Sequence, residues 1–355
     1  MNMPVTLRPI VAPAELRDAR VAERLSAFVR EMAGATPFHL PAWSLGVERG
    51  CRQRSHYLVA EQGGVLAGVL PLTEVRSMLF GRAVVSAGFA VGGGVLATSD
   101  SAAQALADAA WTLAAACGCG LELRGGSPPA GEGWSSDNST YLGFVRPLAA
   151  DEAAELAAVP RKQRAEVRKA LEMGFDVDVG RGPAQRRAHY RTYAESVRNL
   201  GTPVFPQALF AAMLDAFGGD ADILTVRHQG RPVASVLSLY FGNTVYPYWG
   251  GGTQAARGLR ANEAMYFALM NHARARGATR FDFGRSKAGT GPAAYKKNWG
   301  FAPEPLLYHK RYPEGAAPRE INPLDPRYQR KIEAWKKLPL WAANAIGPVL
   351  SRGLG

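Results

Sequence analysis

The sequence predicts an α/β fold of the α+β kind, built from two tandem units that each set a mixed β-sheet against helices. Residues 62–72, QGGVLAGVLPL, match residues 229–239, QGRPVASVLSL, without a gap. The segments that follow the two copies match in the same order, at offsets of about 160 to 167 residues. Within the second copy, apolar residues recur at helical spacing, at Ala264, Phe267, Ala268 and Met270.

Each repeated segment is predicted to be a hairpin followed by a third strand. A short apolar run precedes each copy, YLVA at 57 and ILTV at 223, and a glycine turn lies between the two strands. The third strands are found in FGRAVVSAGFAVGGG and FGNTVYPYWGGG, which share Phe-Gly at the turn and three terminal glycines. A helix and a short strand then complete a β-β-β-α-β unit, with LELR at 121 matching FDFG at 281. Helical segments lead into the two units, at 14–33, 151–173 and 184–217.

The repeat also sets the predicted domain boundaries. Residues 1–150 are predicted to form the first unit, and residues 151–313 the second unit with the candidate active site. The Gly-, Pro- and Ser-rich residues 125–140 are predicted to be a loop at the rim of the first unit. Residues 314–355 change character and form a predicted basic, amphipathic tail.

Composition limits the partners and the compartment. The 355 residues carry a net charge of +12 with a pI near 9.8, which favours an anionic partner such as nucleic acid, a phosphorylated substrate or an acidic membrane. Three cysteines without a CxxC pair predict neither a disulfide framework nor a zinc site. The N-terminus lacks the apolar core of a signal peptide, so a cytoplasmic protein is expected. Contact with the inner face of the membrane stays open.

Several common catalytic motifs are missing. The loop GRSKAG satisfies the opening of a phosphate-binding P-loop, but Thr290 and Gly291 follow where Lys and Ser or Thr are required. The chain has neither a GxSxG elbow nor a strand followed by GxGxxG, and its six histidines lack metal-ligand spacing. Backbone groups, basic side chains and aromatic residues remain, which suits a transferase that positions two substrates without a metal.

The motifs of the second unit resemble those of the Fem family. The pattern YWGGGT, ARGLRANEAM, FDFGRSK and YKKNWGF is similar to these tandem GNAT-fold enzymes, which move amino acids from aminoacyl-tRNA to an amine of a peptidoglycan precursor. PFHLPAWSLG, SMLFGR, NLGTPVFP and NPLDPRYQ are similar to the Fem-like subgroup linked to exosortase (PEP-CTERM) and exopolysaccharide loci. The resemblance implies an acyltransferase of cell-wall or exopolysaccharide biosynthesis, with aminoacyl-tRNA as co-substrate and no tightly bound cofactor. Its acceptor would be an amine on a nucleotide-linked or lipid-linked glycan precursor.

One departure from the acetyltransferase pattern bears on the donor. Those enzymes hold the pyrophosphate of coenzyme A on a [Q/R]xxGx[G/A] loop, whereas this chain reads QAARGLRANE at the same place. Ala255 stands where Gln or Arg is expected, and Arg260 replaces the last small residue. The loop therefore disfavours coenzyme A. An acyl-CoA-dependent N-acetyltransferase acting on an amino sugar stays open as an alternative, as does a non-catalytic scaffold that binds glycan or tRNA.

Two residues are candidate catalytic groups. The resemblance of YKKNWGF to an FKKGF-like segment of Fem enzymes points to Lys296, whose cation would stabilise the oxyanion of a tetrahedral intermediate. The alternative is that Lys296 and Lys297 open a surface helix over Trp299. Asp282 alternates with two phenylalanines, so its carboxylate is expected to point away from the core, where it would orient the amine or act as its base. A structural ion pair with a neighbouring basic residue is the alternative for Asp282.

The candidate substrate-binding residues fall into three groups. Tyr246 and Tyr248 share one face of the third strand, beside Trp249, and are expected to line the substrate channel. Arg161, Arg164 and Arg168 share one face of a helix that would bind tRNA or a diphosphate-linked acceptor, unless it is a solvated charged face. The family motifs supply the remainder: Arg257, Arg260, Asn262, Arg285, Lys287, Tyr295 and Lys297.

The C-terminal tail has two interpretations. Trp335 and Trp341 lie among lysines and precede an apolar stretch interrupted by Pro348. Such a segment is typical of a helix that rests on an anionic membrane surface. It is equally typical of a C-terminal helix that packs across the two units.

Overall fold

The computed structural model describes residues 5–10, 13–77, 81–315 and 326–353. Its strands are, in chain order, β1 (Val5–Ile10), β2 (Arg54–Gln62), β3 (Val65–Ser77), β4 (Gly81–Ser86), β5 (Leu96–Ala97), β6 (Gly120–Arg124), β7 (Trp134–Asp137), β8 (Tyr141–Pro147), β9 (Asp176–Gly180), β10 (Ala221–His228), β11 (Arg231–Phe241), β12 (Thr244–Gly252), β13 (Arg280–Asp282), β14 (Ser286–Lys287), β15 (Pro303–Pro305) and β16 (Tyr308–Arg311). The segments SMLFGR and NPLDPRYQ, on which part of the subgroup resemblance rests, lie partly outside the described residues.

Helices cover both sheets and form the C-terminal tail. They are α1 (Pro13–Arg17), α2 (Ala19–Glu31), α3 (Pro41–Cys51), α4 (Asp100–Ala116), α5 (Glu152–Ala158), α6 (Arg161–Leu171), α7 (Pro183–Leu200), α8 (Gln207–Phe217), α9 (Gln254–Leu259), α10 (Ala261–Ala275), α11 (Gly291–Asn298), α12 (Pro326–Lys336) and α13 (Leu340–Ser351). Polar side chains at the N-cap position begin several of these helices. Asp18, for example, begins α2 by accepting from the Arg20 and Val21 amides.

The two sheets confirm the predicted pair of mixed α/β units. The first sheet runs β1-β2-β3-β4-β6-β16-β7 with β5 beside β3, and the second runs β14-β8-β13-β12-β11-β10-β9 with β15 beside β8. The predicted hairpins are β2–β3 and β10–β11, both antiparallel. In each unit the third strand pairs in parallel with the strand after the long helix, β4 with β6 and β12 with β13. The β-β-β-α-β order is therefore correct in both halves.

Strand pairing crosses the predicted boundary at residue 150 in both directions. β8 precedes that boundary but pairs with β13, β14 and β15 of the second sheet. β16 lies near the end of the predicted second unit but pairs with β6 and β7 of the first. Each sheet is thus completed by a strand from the other half of the chain, while the boundary itself stays a prediction.

The prediction of a continuous loop at 125–140 was wrong at residues 134–137, which form β7. WSSD has no alternation of apolar and polar residues that would mark a strand. Its backbone pairs with β16, which is distant in sequence, so tertiary pairing overrides the local preference.

A shared core joins the two units. Trp43 of α3 is fully buried and stacks on Trp249 of β12, with ring centroids 5.9 Å apart and planes 6° apart. Glycines on α3 allow α8 to approach closely, since a Cβ at Gly46 would lie 2.5 Å from Met213 Sδ. Side chains of both units belong to this one apolar cluster.

The C-terminal helices pack on both units. The Lys336 carbonyl accepts from Arg198 Nη1 of α7 at 3.1 Å, and Gly347 packs against the backbone of Val204. At the end of the tail, Gln53 Nε2 of the first unit donates to the Arg352 carbonyl at 2.6 Å. The tail is thus packed on the two units, which is one of the two interpretations of its sequence. In the part of the chain that the structure describes, no helix is long and apolar enough to span a bilayer.

Candidate active site

The site lies where the pairing of β12 with β13 ends. Their parallel pairing covers two residue pairs, Thr244 with Arg280 and Val245 with Phe281. β13 then continues beside β8, with Asp282 opposite Val145. A bulge in β12 shifts its register against β11 in the same region. The parallel pairing therefore ends after these residues, and we call the region between the end of β12 and the loop that follows β13 the wedge.

Tyr246 and Tyr248 form the β12 side of the wedge. Both rings contact Phe38, at centroid distances of 6.0 and 5.3 Å, so they lie on one side of the strand as predicted. The Tyr248 hydroxyl donates to the Phe89 carbonyl at 2.7 Å. Burial raises the pKa of both phenols, and the nearby Asp282 carboxylate adds to the effect. Trp249 belongs to the shared core, where it stacks on Trp43, and Tyr246 is a member of the same cluster.

Asp282 faces the wedge from the other side. Phe281 and Phe283 are buried in the core, as the alternation predicts, and the carboxylate between them accepts from the Gly284 amide at 2.8 Å. Burial raises the pKa of Asp282 to about 6, against the opposing effects of that hydrogen bond and of the Lys296 charge. A carboxylate with this pKa can accept a proton near neutral pH.

Lys296 reaches into the same region from α11. Its Nζ donates to the Gly284 carbonyl at 3.1 Å and to the Arg285 carbonyl at 2.8 Å, and lies over the rings of Phe144 and Phe283. Burial lowers the pKa of Lys296 to about 7, although Asp282 favours its charged form. Lys297 is exposed, so only the second lysine of the pair has the surface position that the alternative interpretation gave to both.

The first sheet supplies a clamp for the loop between Asp282 and α11. Arg285 Nη1 donates to the Tyr308 hydroxyl of β16 at 2.7 Å, and its guanidinium lies 4.7 Å from the ring centroid of Tyr141. The Tyr308 hydroxyl in turn donates to the Val91 carbonyl at 2.8 Å. Sequence reasoning found Arg285 but missed Tyr308 and Tyr141, because only the exchange of β8 and β16 brings them to the site.

The equivalent position of the first unit has a different electrostatic environment. LELR matches FDFG in the repeat, so Glu122 of β6 corresponds to Asp282. Arg124 Nε donates to Glu122 at 2.7 Å, and Lys310 Nζ lies 3.6 Å from the same carboxylate. Burial is the largest single influence and opposes ionisation of Glu122, but the charge and hydrogen bond of Arg124, together with the charges of Lys310 and Arg285, lower its pKa. The first-unit carboxylate is thus held ionised in ion pairs, whereas burial raises the pKa of the second.

The segment from the end of β12 to the first turn of α10, which we call the α9 loop, carries three of the predicted substrate residues. Arg257 is exposed on α9, while Arg260 adopts a left-handed conformation with φ 57° and pairs with Glu166 of α6 through Nε at 2.5 Å. Asn262 lies on the first turn of α10, where a Cβ at Gly252 would come within 2.7 Å of its Oδ1. The first backbone amide of α9 already has a partner, because Glu195 of α7 accepts from the Gln254 amide at 2.8 Å.

The remaining predicted residues surround this region without converging on it. The Tyr295 hydroxyl donates to Glu263 at 3.3 Å, and Lys287 lies in β14 opposite Tyr141. On α6, Arg161 and Arg168 are exposed and Arg164 Nη1 donates to the Ala157 carbonyl at 2.9 Å. Their shared face points away from the buried side of α6, which packs on α10. A role in binding substrate stays a prediction for all of them.

Among the described residues, no group of three or more His, Cys, Asp or Glu side chains is arranged to hold a metal ion. The buried histidines have structural partners. His39 bonds to Thr36 and the Gly94 carbonyl, and His189 bonds to Ser235 in the core.

Comparison with known proteins agrees with the fold. Residues 158–297 match the family model described as acetyltransferase (GNAT) domain, which supports an acyltransferase. A comparison with curated proteins finds no match.

Solved structures with the same architecture share little sequence with this chain. FemX is 15% identical with a TM-score of 0.62, and the match covers 81% of this chain and 95% of FemX. The C-terminal domain of a putative lysylphosphatidylglycerol synthetase from Agrobacterium fabrum is 13% identical, with a TM-score of 0.57 and coverage of 85% and 93%. A tandem GNAT protein from the clavulanic acid biosynthesis pathway is 14% identical, with a TM-score of 0.54 and coverage of 89% and 100%. The chain thus has the Fem-like tandem GNAT fold that its motifs predict.

Proposed function

We propose that this chain, an acyltransferase with the tandem GNAT fold, forms an amide bond on an amine of a cell-envelope glycan or peptidoglycan-type precursor, with aminoacyl-tRNA as the donor. One observation carries the proposal. A carboxylate with a raised pKa and an ammonium with a lowered pKa, Asp282 and Lys296, lie at the wedge. Such pairs of oppositely shifted groups are typical of sites that move protons.

The two groups divide the work of acyl transfer. The neutral amine of the acceptor attacks the carbonyl carbon of the aminoacyl ester, so a C–N bond forms and negative charge develops on the carbonyl oxygen. Lys296, as the ammonium, stabilises that oxyanion. Asp282, as the carboxylate, takes the proton that the nitrogen loses. The C–O ester bond then breaks, and the ribose oxygen that leaves takes up one proton, so the net number of protons is unchanged.

The charges around the α9 loop support a donor other than coenzyme A. Acetyltransferases of this fold hold the pyrophosphate at this loop, where close backbone approach and positive potential are needed. Here Glu195 occupies the amide at the start of α9, and Glu166 neutralises Arg260. Glu263 follows on α10. Carboxylates in these places repel a diphosphate, whereas the ester end of aminoacyl-tRNA brings one phosphodiester charge per nucleotide.

Two further features support the acceptor and donor classes. FemX and a putative lysylphosphatidylglycerol synthetase share the fold, and the second is named for the synthesis of an aminoacylated lipid. A net charge of +12 suits a polyanionic donor or a diphosphate-linked acceptor. The exosortase- and exopolysaccharide-associated subgroup is part of this proposal.

A transfer assay with purified protein tests the proposal. A mixture of tRNAs charged with labelled amino acids is offered beside labelled acetyl-CoA, with extracted envelope precursors as acceptors. We expect transfer from the charged tRNA and its loss, by about 10²-fold or more, in Lys296→Ala. Lys162→Ala is the matched control, because that lysine is exposed and is not one of the candidate site residues. Unchanged transfer in Lys296→Ala would reject the site, and transfer from acetyl-CoA alone would reject the donor.

An acyl-CoA-dependent N-acyltransferase is the second candidate. The family match at 158–297 favours it, because the matched family is described by acetyl transfer. Calorimetric titration with acetyl-CoA separates the two candidates. Saturable binding that survives physiological salt supports the second, and its absence together with binding of charged tRNA supports the first.

A further inference from the structure

The outer face of α13 is apolar although the helix is firmly docked. Trp341 is 76% exposed, Val349 67% and Ile346 46%. Positions 341, 345 and 349 are four residues apart, so they form one stripe along the helix, with Ile346 beside it. A concentrated set of large exposed apolar side chains on one helix is unusual in a soluble monomer and marks an interaction surface.

The opposite face of the helix fixes this orientation. Ala343, Gly347 and Ser351 are buried, again four residues apart. Gly347 packs so closely that a Cβ there would lie 3.0 Å from the Val204 amide nitrogen. Hydrogen bonds to the Lys336 and Arg352 carbonyls hold the segments on either side of α13. The helix cannot roll to bury its stripe without breaking these contacts, so the stripe faces outward as a consequence of the fold.

The tail that carries the stripe is strongly positive. Residues 326–353 contain six basic residues and one acidic residue, Glu333. Glu333 pairs with Lys336, and Arg330 and Lys337 are exposed on and just after α12. A second copy of this chain would bring the same positive charge to the contact, which disfavours self-association. An anionic surface is complementary to both the charge and the apolar stripe.

We propose that α12 and α13 form a membrane-binding surface, in which Trp341, Ile346 and Val349 insert at the headgroup level of an anionic bilayer and the basic residues of α12 contact its phosphates. Tryptophan favours this boundary because its ring is apolar and its N–H is polar. The helix lies in the plane of the interface and does not cross it. The inference stands on the tail alone and is independent of the donor and of the catalytic residues.

Sedimentation with lipid vesicles tests the proposal on the full-length protein. We expect binding to vesicles of equimolar phosphatidylcholine and phosphatidylglycerol, and much weaker binding to phosphatidylcholine alone. Trp341→Ser combined with Val349→Ser is expected to weaken the partition coefficient on the order of ten-fold or more. Val65→Ser is the matched control, since Val65 is 70% exposed on the β2–β3 turn, and it is expected to bind as the wild type does.

A second variant separates charge from apolar insertion. Arg330→Gln combined with Lys337→Gln is expected to weaken binding on the order of ten-fold, with a smaller salt dependence than in the wild type. Both double variants alter exposed side chains, so thermal unfolding should match that of the wild type. Equal binding to neutral and anionic vesicles, or unchanged binding of the Trp341/Val349 variant, would overturn the proposal. A concentration-dependent dimer that requires Trp341, without vesicle binding, would overturn it in favour of a second copy.

Discussion

Asp282 and Glu122 occupy equivalent positions in the two halves of the repeat, yet their environments give opposite pKa shifts. Part of the difference lies in the next residue but one: Arg124 follows Glu122 at the position where Gly284 follows Asp282, and Lys310 adds a second cation beside Glu122. The arginine neutralises the first carboxylate, whereas the glycine offers only its amide to the second. Proton transfer near neutral pH is therefore available in the second unit.

The pH dependence of the reaction follows from these two shifts. Asp282 must be deprotonated to act as a base, so kcat rises as pH increases through about 6. Lys296 must be protonated to stabilise the oxyanion, so kcat falls as pH increases through about 7. We expect a narrow bell-shaped dependence of kcat on pH, measured at saturating substrate concentrations. Its two limbs report the coupled titration of Asp282 and Lys296.

Substitutions assign the limbs of this profile. Lys296→Arg keeps the cation but has a pKa far above the range, so the alkaline limb should move beyond the measurable pH. Asp282→Asn should remove the acidic limb and lower kcat by about 10²- to 10⁴-fold. An alkaline limb that stays in place in Lys296→Arg would show that another group sets it.

Tyr308 is a positioning residue contributed by the first sheet. It holds Arg285, whose backbone carbonyl binds the Lys296 ammonium. Tyr308→Phe removes the hydroxyl but keeps the ring, so we expect about a 10-fold lower kcat and a shift of the alkaline limb, with KM little changed. A purely structural role would lower stability without moving the limb. Tyr141→Phe, which keeps the ring under Arg285, is the matched control.

At the scale of elements, the charges around the α9 loop support the proposed donor. Three acidic residues from three helices approach this loop, Glu166 of α6, Glu195 of α7 and Glu263 of α10. Helix packing alone brings the first two to the loop, since they are far from it in sequence. The departure from the acetyltransferase pattern at Ala255 and Arg260 is thus matched by the charges that surround it.

Removal of these charges tests the argument. Glu166→Gln combined with Glu195→Gln keeps the shape of the loop but removes two negative charges. We expect affinity for acetyl-CoA to increase by about 10-fold or more in calorimetric titration, because each charge repels the diphosphate. Glu152→Gln, at an exposed residue of α5, is the control. An unchanged affinity would mean that the carboxylates do not govern the choice of donor.

At the scale of the whole molecule, the shared core makes the two units one folding unit. Trp43 has no exposed surface, and its indole N–H donates to the Gly88 carbonyl at 3.1 Å while its ring stacks on Trp249 of the other unit. Exchange of β8 and β16 adds backbone pairing in both directions. Neither sheet is complete without the other half of the chain.

A calorimetric experiment measures this coupling. Trp43→Ala should lower the free energy of unfolding by about 3–5 kcal/mol and keep a single transition, because the lost contacts support both units. Trp43→Phe, which retains an aromatic ring, should cost less. Two separate transitions in the variant, with one at the wild-type temperature, would contradict the coupling.

Local patterns were sufficient for the architecture of each half. The repeat, the glycine turns and the 3.6-residue period predicted both hairpins and both long helices, because strand and helix periodicity depends on residues that are close in sequence. The alternation in FDF predicted that Phe281 and Phe283 are buried on either side of Asp282, and the similarity of YKKNWGF to the Fem motif pointed to Lys296, which is half-buried.

The tertiary structure decided what depends on residues far apart in the chain. Exchange of β8 and β16 between the sheets, the strand at 134–137 and the clamp of Tyr308 on Arg285 arise from long-range pairing that no local pattern encodes. The same holds for the pKa values, since burial and neighbouring charges set them. The sequence alone determined two α/β units and the residue types of the site, and packing between the halves determined which of those residues meet and which can move a proton.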